Sequence, residues 1–227
     1  MAKQSMKLYV YQTIKHSIYE QKLTPGQKLI EQQISEALSI SRTPIRQAFQ
    51  QLQEEGFLTI SPNKGAQVID PTSKEIAEAF IYRSHLERMA TKDIINWITS
   101  NDINKLIKLV HTEQETYRNK DFLGYIETNK NFHFTLIKGC DNRFLKNDCI
   151  KIINQTHIYL ALYDHFYQVN RQKKDIRGPK EHQMLINFLI RNDYDSFSKL
   201  LNKHITSTIE EYTARMKKVH HASDLFQ

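Results

Sequence analysis

Few residues in this chain break a helix, and fewer still cross-link or cross a membrane. Among its 227 residues are two cysteines, one tryptophan, five prolines and six glycines. Cys140 and Cys149 are too few for a disulfide framework and fit a reducing cytoplasm. No apolar run approaches the ~20 residues of a membrane-spanning helix, so no membrane partner is expected. Polar residues follow Met1, with no apolar signal-peptide region. Beyond Pro71 the only breakers are Gly124, Gly139, Gly178 and Pro179, and strand signal nearly vanishes. Such scarcity predicts long helices.

Helices are expected over 73–98, 101–118, 121–139, 142–168, 178–191 and 193–218, with fraying from about His220. They would form an all-α antiparallel bundle with short connections. Asp70-Pro71-Thr72-Ser73 interrupts the pattern and divides the chain into 1–70 and 71–227. The formal charge of +7 suits an anionic partner. It is not concentrated, because residues 1–70 hold 8 Lys/Arg against 6 Asp/Glu. A nucleic-acid role therefore rests on where individual cations stand.

The first 70 residues show such placement. Leu23-Thr24-Pro25-Gly26 is a turn signal, and Leu29-Ile30-Glu31 opens a helix with Ile34 and Leu38 on one face. After a turn at Ser39-Ile40, a second helix runs through Leu52 and ends at Gly56, together a helix-turn-helix. Ser41 is an N-cap candidate. Thr43 is another, with Pro44 then at the first helical position. Arg42 and Arg46, four apart, share a face at the helix start. Hydroxyls and arginines at a helix N-terminus suit phosphates and base edges. Leu58-Thr59-Ile60 and Ala66-Gln67-Val68-Ile69 alternate around Pro62-Asn63-Lys64-Gly65, a two-stranded wing with a basic tip. The fold class is thus mainly α: a winged helix-turn-helix followed by the bundle.

These residues resemble the N-terminal domain of the GntR family of bacterial transcription regulators. The match comprises Leu23, Pro25-Gly26, Leu29, Leu38, Ser41 to Arg46, Ala48, Leu52, Glu55-Gly56, Pro62 and Lys64-Gly65-Ala66. The resemblance implies that Arg42, Thr43 and Arg46 contact operator DNA and that Lys64-Gly65 enters the minor groove. Gln32 stands where a DNA-contacting residue often lies.

In the bundle, polar residues sit on apolar faces. Asn129 and His133 share the stripe of Phe122, Tyr125, Ile126, Phe132 and Leu136. His182 shares a face with Leu185, Ile186 and Leu189, and His204 follows Phe197, Leu200 and Leu201. A single such histidine is more often a hydrogen-bonded core residue than a ligand. Three on inward faces, with one oxygen donor, suit a divalent ion: zinc first, with nickel or manganese as alternatives.

The same segments resemble the FCD-type effector-binding domain of the FadR subgroup within that family. Asn129-Lys130-Asn131-Phe132-His133 matches its D-x-x-F-H, and Asp141 to Leu145 matches the turn that follows. Glu181-His182 and His204 match its other histidine segments. The resemblance implies a metal at Asn129, His133, His182 and His204, with asparagine where aspartate is usual. Arg83-Ser84-His85-Leu86-Glu87 matches R-x-x-L-E. There Arg83 either pairs with Glu87 on the helix surface or grips an effector carboxylate.

The expected protein is a homodimeric, ligand-responsive repressor on a pseudo-palindromic operator, controlled by a small carboxylate or sugar acid. Two alternatives remain open. One is a metal-dependent enzyme using the three histidines to activate water. The other is a regulator that binds an acyl ligand without metal.

Overall fold

The computed structural model describes residues 5–61, 65–163 and 177–216, with the side chains of 211–216 excepted. The chain divides into two compact units, Met1–Pro71 and Thr72–Gln227.

In the first unit, helix α1 (Met6–Tyr19) packs on α3 (Arg42–Glu54), and α2 (Glu31–Leu38) packs on the same helix. The buried stripe Ile45, Ala48, Phe49 and Leu52 of α3 meets Val10, Ile14 and Ile18 of α1 in this small core. Each such side chain contributes about 1.5–3 kcal/mol on burial. Ser41 is the N-cap and Arg42 the first helical residue, so Thr43 is not the cap. Pro44 falls third in the helix, where its missing N–H is still one of the four left unpaired at any helix start. Glu55 caps the other end and Gly56 follows at φ +83°.

The expected two-stranded wing is a three-stranded antiparallel sheet, in the order β1 (Lys28–Leu29), β3 (Gly65–Val68), β2 (Leu58–Ser61). Leu29 pairs with Ala66 instead of opening α2, which begins at Glu31. Two residues are too short to carry an alternating pattern, so this strand is set by its partner and not by its own sequence.

The second unit consists of helices α4 (Ser73–Ala90), α5 (Ile94–Trp97), α6 (Ser100–Arg118), α7 (Phe122–Leu136), α8 (Arg143–Tyr163), α9 (Arg177–Ile190) and α10 (Tyr194–Met216). Residues 164–168, expected to continue α8, lie outside those described, as does the chain beyond 216. Helix α4 packs on α8 and α10, α6 on α7 and α9, α7 on α8, and α9 on α10. The core is filled by Ile76, Phe80, Leu106, Ile126, Phe132, Leu136, Ile153, Leu185 and Phe197, all buried.

One expected helix, 73–98, is two. The Thr91 hydroxyl donates to the Glu87 carbonyl at 2.8 Å, and α4 ends there. The chain turns, and Trp97 of α5 then lies against Gly139. A Cβ at 139 would stand 2.1 Å from the indole, so only glycine fits. Capping boxes start α4 (Thr72 with Glu75) and α6 (Thr99 with Asp102).

Asp102 also takes a hydrogen bond from Lys138 at 2.7 Å, tying the start of α6 to the segment after α7. The Lys138 ammonium and then the Thr99 hydroxyl hold its carboxyl down at about 2, against burial. A depressed carboxyl contributes stability above its unfolded pKa and loses it as pH falls through the folded one. We predict that Asp102→Asn costs about 1 kcal/mol at pH 7. Thermal melts should show that gap closing between about pH 4 and about pH 2. An equal gap at both ends of that window would show that the carboxylate charge is not its source.

Candidate functional site

Three helices deliver the imidazoles. Helix α7 carries His133, α9 His182 and α10 His204, each on the apolar stripe that buries its helix. One nitrogen from each ring lies within 4.8 Å of the others. The opposite nitrogen of every ring faces a carboxylate. Nδ1 of His133 donates to Glu87 Oε2, that of His182 to Glu113 Oε2, and that of His204 to Glu181 Oε2, each at 2.7 Å. A carboxylate only accepts, so all three rings carry the Nδ1 proton and turn an Nε2 lone pair to the centre. Nε2 of His182 and Nε2 of His204 stand 3.1 Å apart. Two facing lone pairs repel unless a cation lies between them. Nitrogens each 2.0–2.1 Å from one ion, at tetrahedral or octahedral angles, are separated by about 2.8–3.4 Å.

The electrostatics point the same way. Burial holds His133 well below its ordinary pKa, with Arg83 and the other two imidazoles adding to the effect. Burial likewise depresses His204, against the pull of Glu181. Burial would raise Glu181, but His204 and Arg177 outweigh it and hold its carboxyl down. Neutral rings and charged carboxylates are the states a divalent ion needs. Three carboxylates here face two guanidinium groups, Arg83 and Arg177, so the cluster retains negative charge. Phe132 stacks on His182 with centroids 3.9 Å apart and fixes that ring's plane.

Arg83 is 3% exposed, so a pairing with Glu87 on the helix surface does not occur. The pair itself exists, but in the interior. Nε donates to Glu87 Oε1 at 2.5 Å and Nη1 to Thr156 Oγ1 at 3.1 Å. Glu87 thus bridges Arg83 and His133. Asn129 turns its amide nitrogen to Glu113 Oε1 and its oxygen to His157 Nε2, each at 2.8 Å. His157 Nδ1 meets the Ile153 carbonyl at 2.7 Å.

Glu113 is not among the residues the sequence singles out, and His157, open there between core, pocket and surface, has no role assigned, although both carried a signal. Glu113 continues the stripe of Leu106 and Val110 on α6, and His157 follows Cys149 and Ile153 at spacings of four on α8. A buried acid or imidazole in such a stripe needs a partner. Cys149 is buried there as well, its thiol pushed up to about 12, chiefly by burial, and unreactive.

In the first unit, Ser41, Arg42, Thr43 and Arg46 are exposed together at the start of α3. The Ser41 side chain makes no capping bond. Arg46 Nε donates to Glu31 Oε2 at 2.8 Å. Gln32 is exposed on α2 and bonds Glu36 at 2.9 Å. Gly65 opens β3, exposed and at φ +78°, a conformation that side chains disfavour. Lys64 lies outside the described residues.

Two family models match the chain: bacterial regulatory proteins of the gntR family over residues 7–68, and the FCD domain over 76–207. YdhC, an HTH-type transcriptional regulator of Bacillus subtilis, is 29% identical over 141 residues, 62% of this chain and 63% of its own length. RspR, an HTH-type transcriptional repressor of Escherichia coli, is 23% identical over 201 residues, 88% and 86% of the two chains. Among solved structures, E. coli McbR/YncC aligns with a TM-score of 0.71 at 21% identity, covering 94% of this chain and 100% of that one. A GntR regulator from Rhodococcus sp. RHA1 aligns with a TM-score of 0.72 at 20% identity, covering 92% and 97%. At these identities the two structures establish a shared fold.

No helix among the described residues is long and apolar enough to cross a membrane.

Glu181 is the most accessible of the three carboxylates and bonds only His204 and Arg177 among the described residues. We predict that Glu181→Gln weakens the binding of added zinc about 10–100-fold, because the amide oxygen can still accept the His204 Nδ1 proton but no longer supplies the negative charge that makes the ring a stronger donor. Competition titration after chelator treatment checks this, with circular dichroism showing an unchanged fold. Equal affinity would mean that the carboxylate charge does not strengthen the ring as a donor.

Proposed function

The chain belongs to the GntR family of bacterial regulatory proteins and carries the FCD domain, and from that membership we propose an operator-binding repressor released by a small organic acid held at a divalent ion. The chain is a transcription regulator, which sets aside the metal-dependent enzyme. Within the family, the FadR subgroup is the placement that its histidine segments favour. Repression agrees with the relative RspR, itself a transcriptional repressor.

The observation that carries the metal is the meeting of three Nε2 lone pairs, two of them 3.1 Å apart. His133, His182 and His204 would hold the ion. Zinc is the first choice for an all-imidazole set, and nickel and manganese are the alternatives. Asn129 would add an oxygen donor only by giving up its bond to His157. A bound ion would offer open positions to carboxylate oxygens. Arg83, with no hydrogen bond to its Nη2 among the described residues, would pair a second anionic group of the effector. Effector binding must favour one arrangement of the protein over another to alter DNA affinity.

At the DNA end, Arg42, Thr43 and Arg46 on α3 would enter the major groove, Ser41 would meet phosphate, and Lys64-Gly65 would reach the minor groove. Gln32 stands on α2 for a backbone contact. In a homodimer the two recognition helices would address the half-sites of a pseudo-palindrome.

We predict that Arg42→Ala and Arg46→Ala each weaken operator binding and leave the bundle folded, with about 1–3 kcal/mol lost where a base contact is removed. Electrophoretic mobility shift against the protein's selected operator checks this. Near-wild-type affinity in both variants would remove the recognition-helix assignment.

For the second unit we predict one divalent ion per chain, lost in His182→Ala, and a lower Tm after chelation, since the ion binds only the folded state. Arg83→Ala should keep the ion but blunt operator release by organic acids. No metal by mass spectrometry, with no thermal shift on adding zinc, nickel or manganese, would instead favour a metal-free acyl ligand.

A further inference from the structure

The two arginines at the start of α3 are not equivalent. Arg42 is exposed and has no ion pair or hydrogen bond among the described residues, apart from its helix. Arg46, one turn on, gives its Nε to Glu31 Oε2 at 2.8 Å. Glu31 is the first residue of α2, and the positive end of that helix favours a carboxylate there. Its side chain is 29% exposed and that of Arg46 62%, so Arg46 is the more exposed partner of the pair. Neither Nη of Arg46 has a hydrogen bond among the described residues.

A guanidinium can meet guanine O6 and N7 in two ways, side-on through Nε and one Nη, or end-on through both Nη atoms. With Nε occupied, only the end-on pair remains. We infer that Glu31 is a positioning residue for base recognition, committing Arg46 to an end-on contact with guanine while Arg42 serves phosphate. The inference rests on the reading of α3 as the recognition helix. Near DNA the Glu31 carboxylate is repelled by the phosphates. That penalty applies to every sequence, whereas the aligned fork is of use only over guanine. Glu31 therefore lowers general affinity and raises discrimination. A carboxylate acting merely as a staple between α2 and α3 would raise both or neither.

That opposition supplies the test. The full-length protein selects duplexes from a randomised pool, and the winning duplex is remade with 7-deazaguanine, which lacks N7. Wild type should select guanine in each half-site and lose about fivefold or more affinity for the 7-deaza duplex. Glu31→Ala should bind an unselected duplex as well as wild type or better, yet show less than about twofold sensitivity to 7-deazaguanine. Arg42→Lys should keep the guanine preference, because lysine still neutralises a phosphate, and Arg46→Lys should lose it. Full 7-deaza sensitivity in Glu31→Ala overturns the inference. So does a parallel loss of affinity for selected and unselected duplexes with a lowered Tm, the mark of a staple. A wild-type protein that selects nothing overturns the recognition-helix reading, and the inference with it.

Discussion

The hydrogen bond from Nδ1–H of a buried histidine to a buried carboxylate, made three times, is the constraint on which the second unit depends. An unpartnered carboxylate in an interior costs several kcal/mol. Each of these three has a second partner besides its histidine: Arg83 for Glu87, Asn129 for Glu113 and Arg177 for Glu181. The bonds run between α4 and α7, between α6 and α9, and between α9 and α10. No helix of that set can shift by a turn without stranding a charge. Apolar packing alone would tolerate more slippage, because its interactions are not directional. The network therefore does two things at once. It registers the bundle, and it points three lone pairs at one place.

That coupling has a consequence for regulation. Glu87 joins Arg83 on one side to His133 on the other, so a group that engages Arg83 acts on the same carboxylate that orients a histidine. Asn129 and Glu113 connect His157 to His182 in the same fashion. Sites built from such chains respond as units, since changing one partner alters the hydrogen-bonding needs of the next.

The first unit follows the opposite rule. Its expected DNA-contacting side chains are exposed, held by a small apolar core beneath them, and of Arg42 and Arg46 only Arg46 has an ionic partner on another helix among the described residues. Ser41 starts α3 without a side-chain capping bond. The exposed cluster at the start of α3 leaves most of its donors unspent, whereas the buried histidine cluster pairs nearly every polar atom.

Much of this was legible in the linear chain. Periodicity in Ile45, Ala48, Phe49 and Leu52 located α3, and the apolar stripes around His133, His182 and His204 pointed each ring inward, because both patterns are local and repeat with the helix. Three things were not legible. The strand Lys28–Leu29 exists only through its pairing with β3, and α4 stops at Ala90 with Thr91 as its C-cap where the sequence pattern runs on. The partners of the histidines come from 23 to 69 residues away. Sequence alone determined that each of the three imidazoles would face inward, since facing inward is a property of one helix at a time, whereas their meeting within 4.8 Å is a matter of tertiary packing. Which carboxylate each would meet, where the Asn129 amide would turn, and that Glu31 would pair with Arg46 were decided by tertiary packing, because each depends on distances between helices that no spacing along the chain encodes.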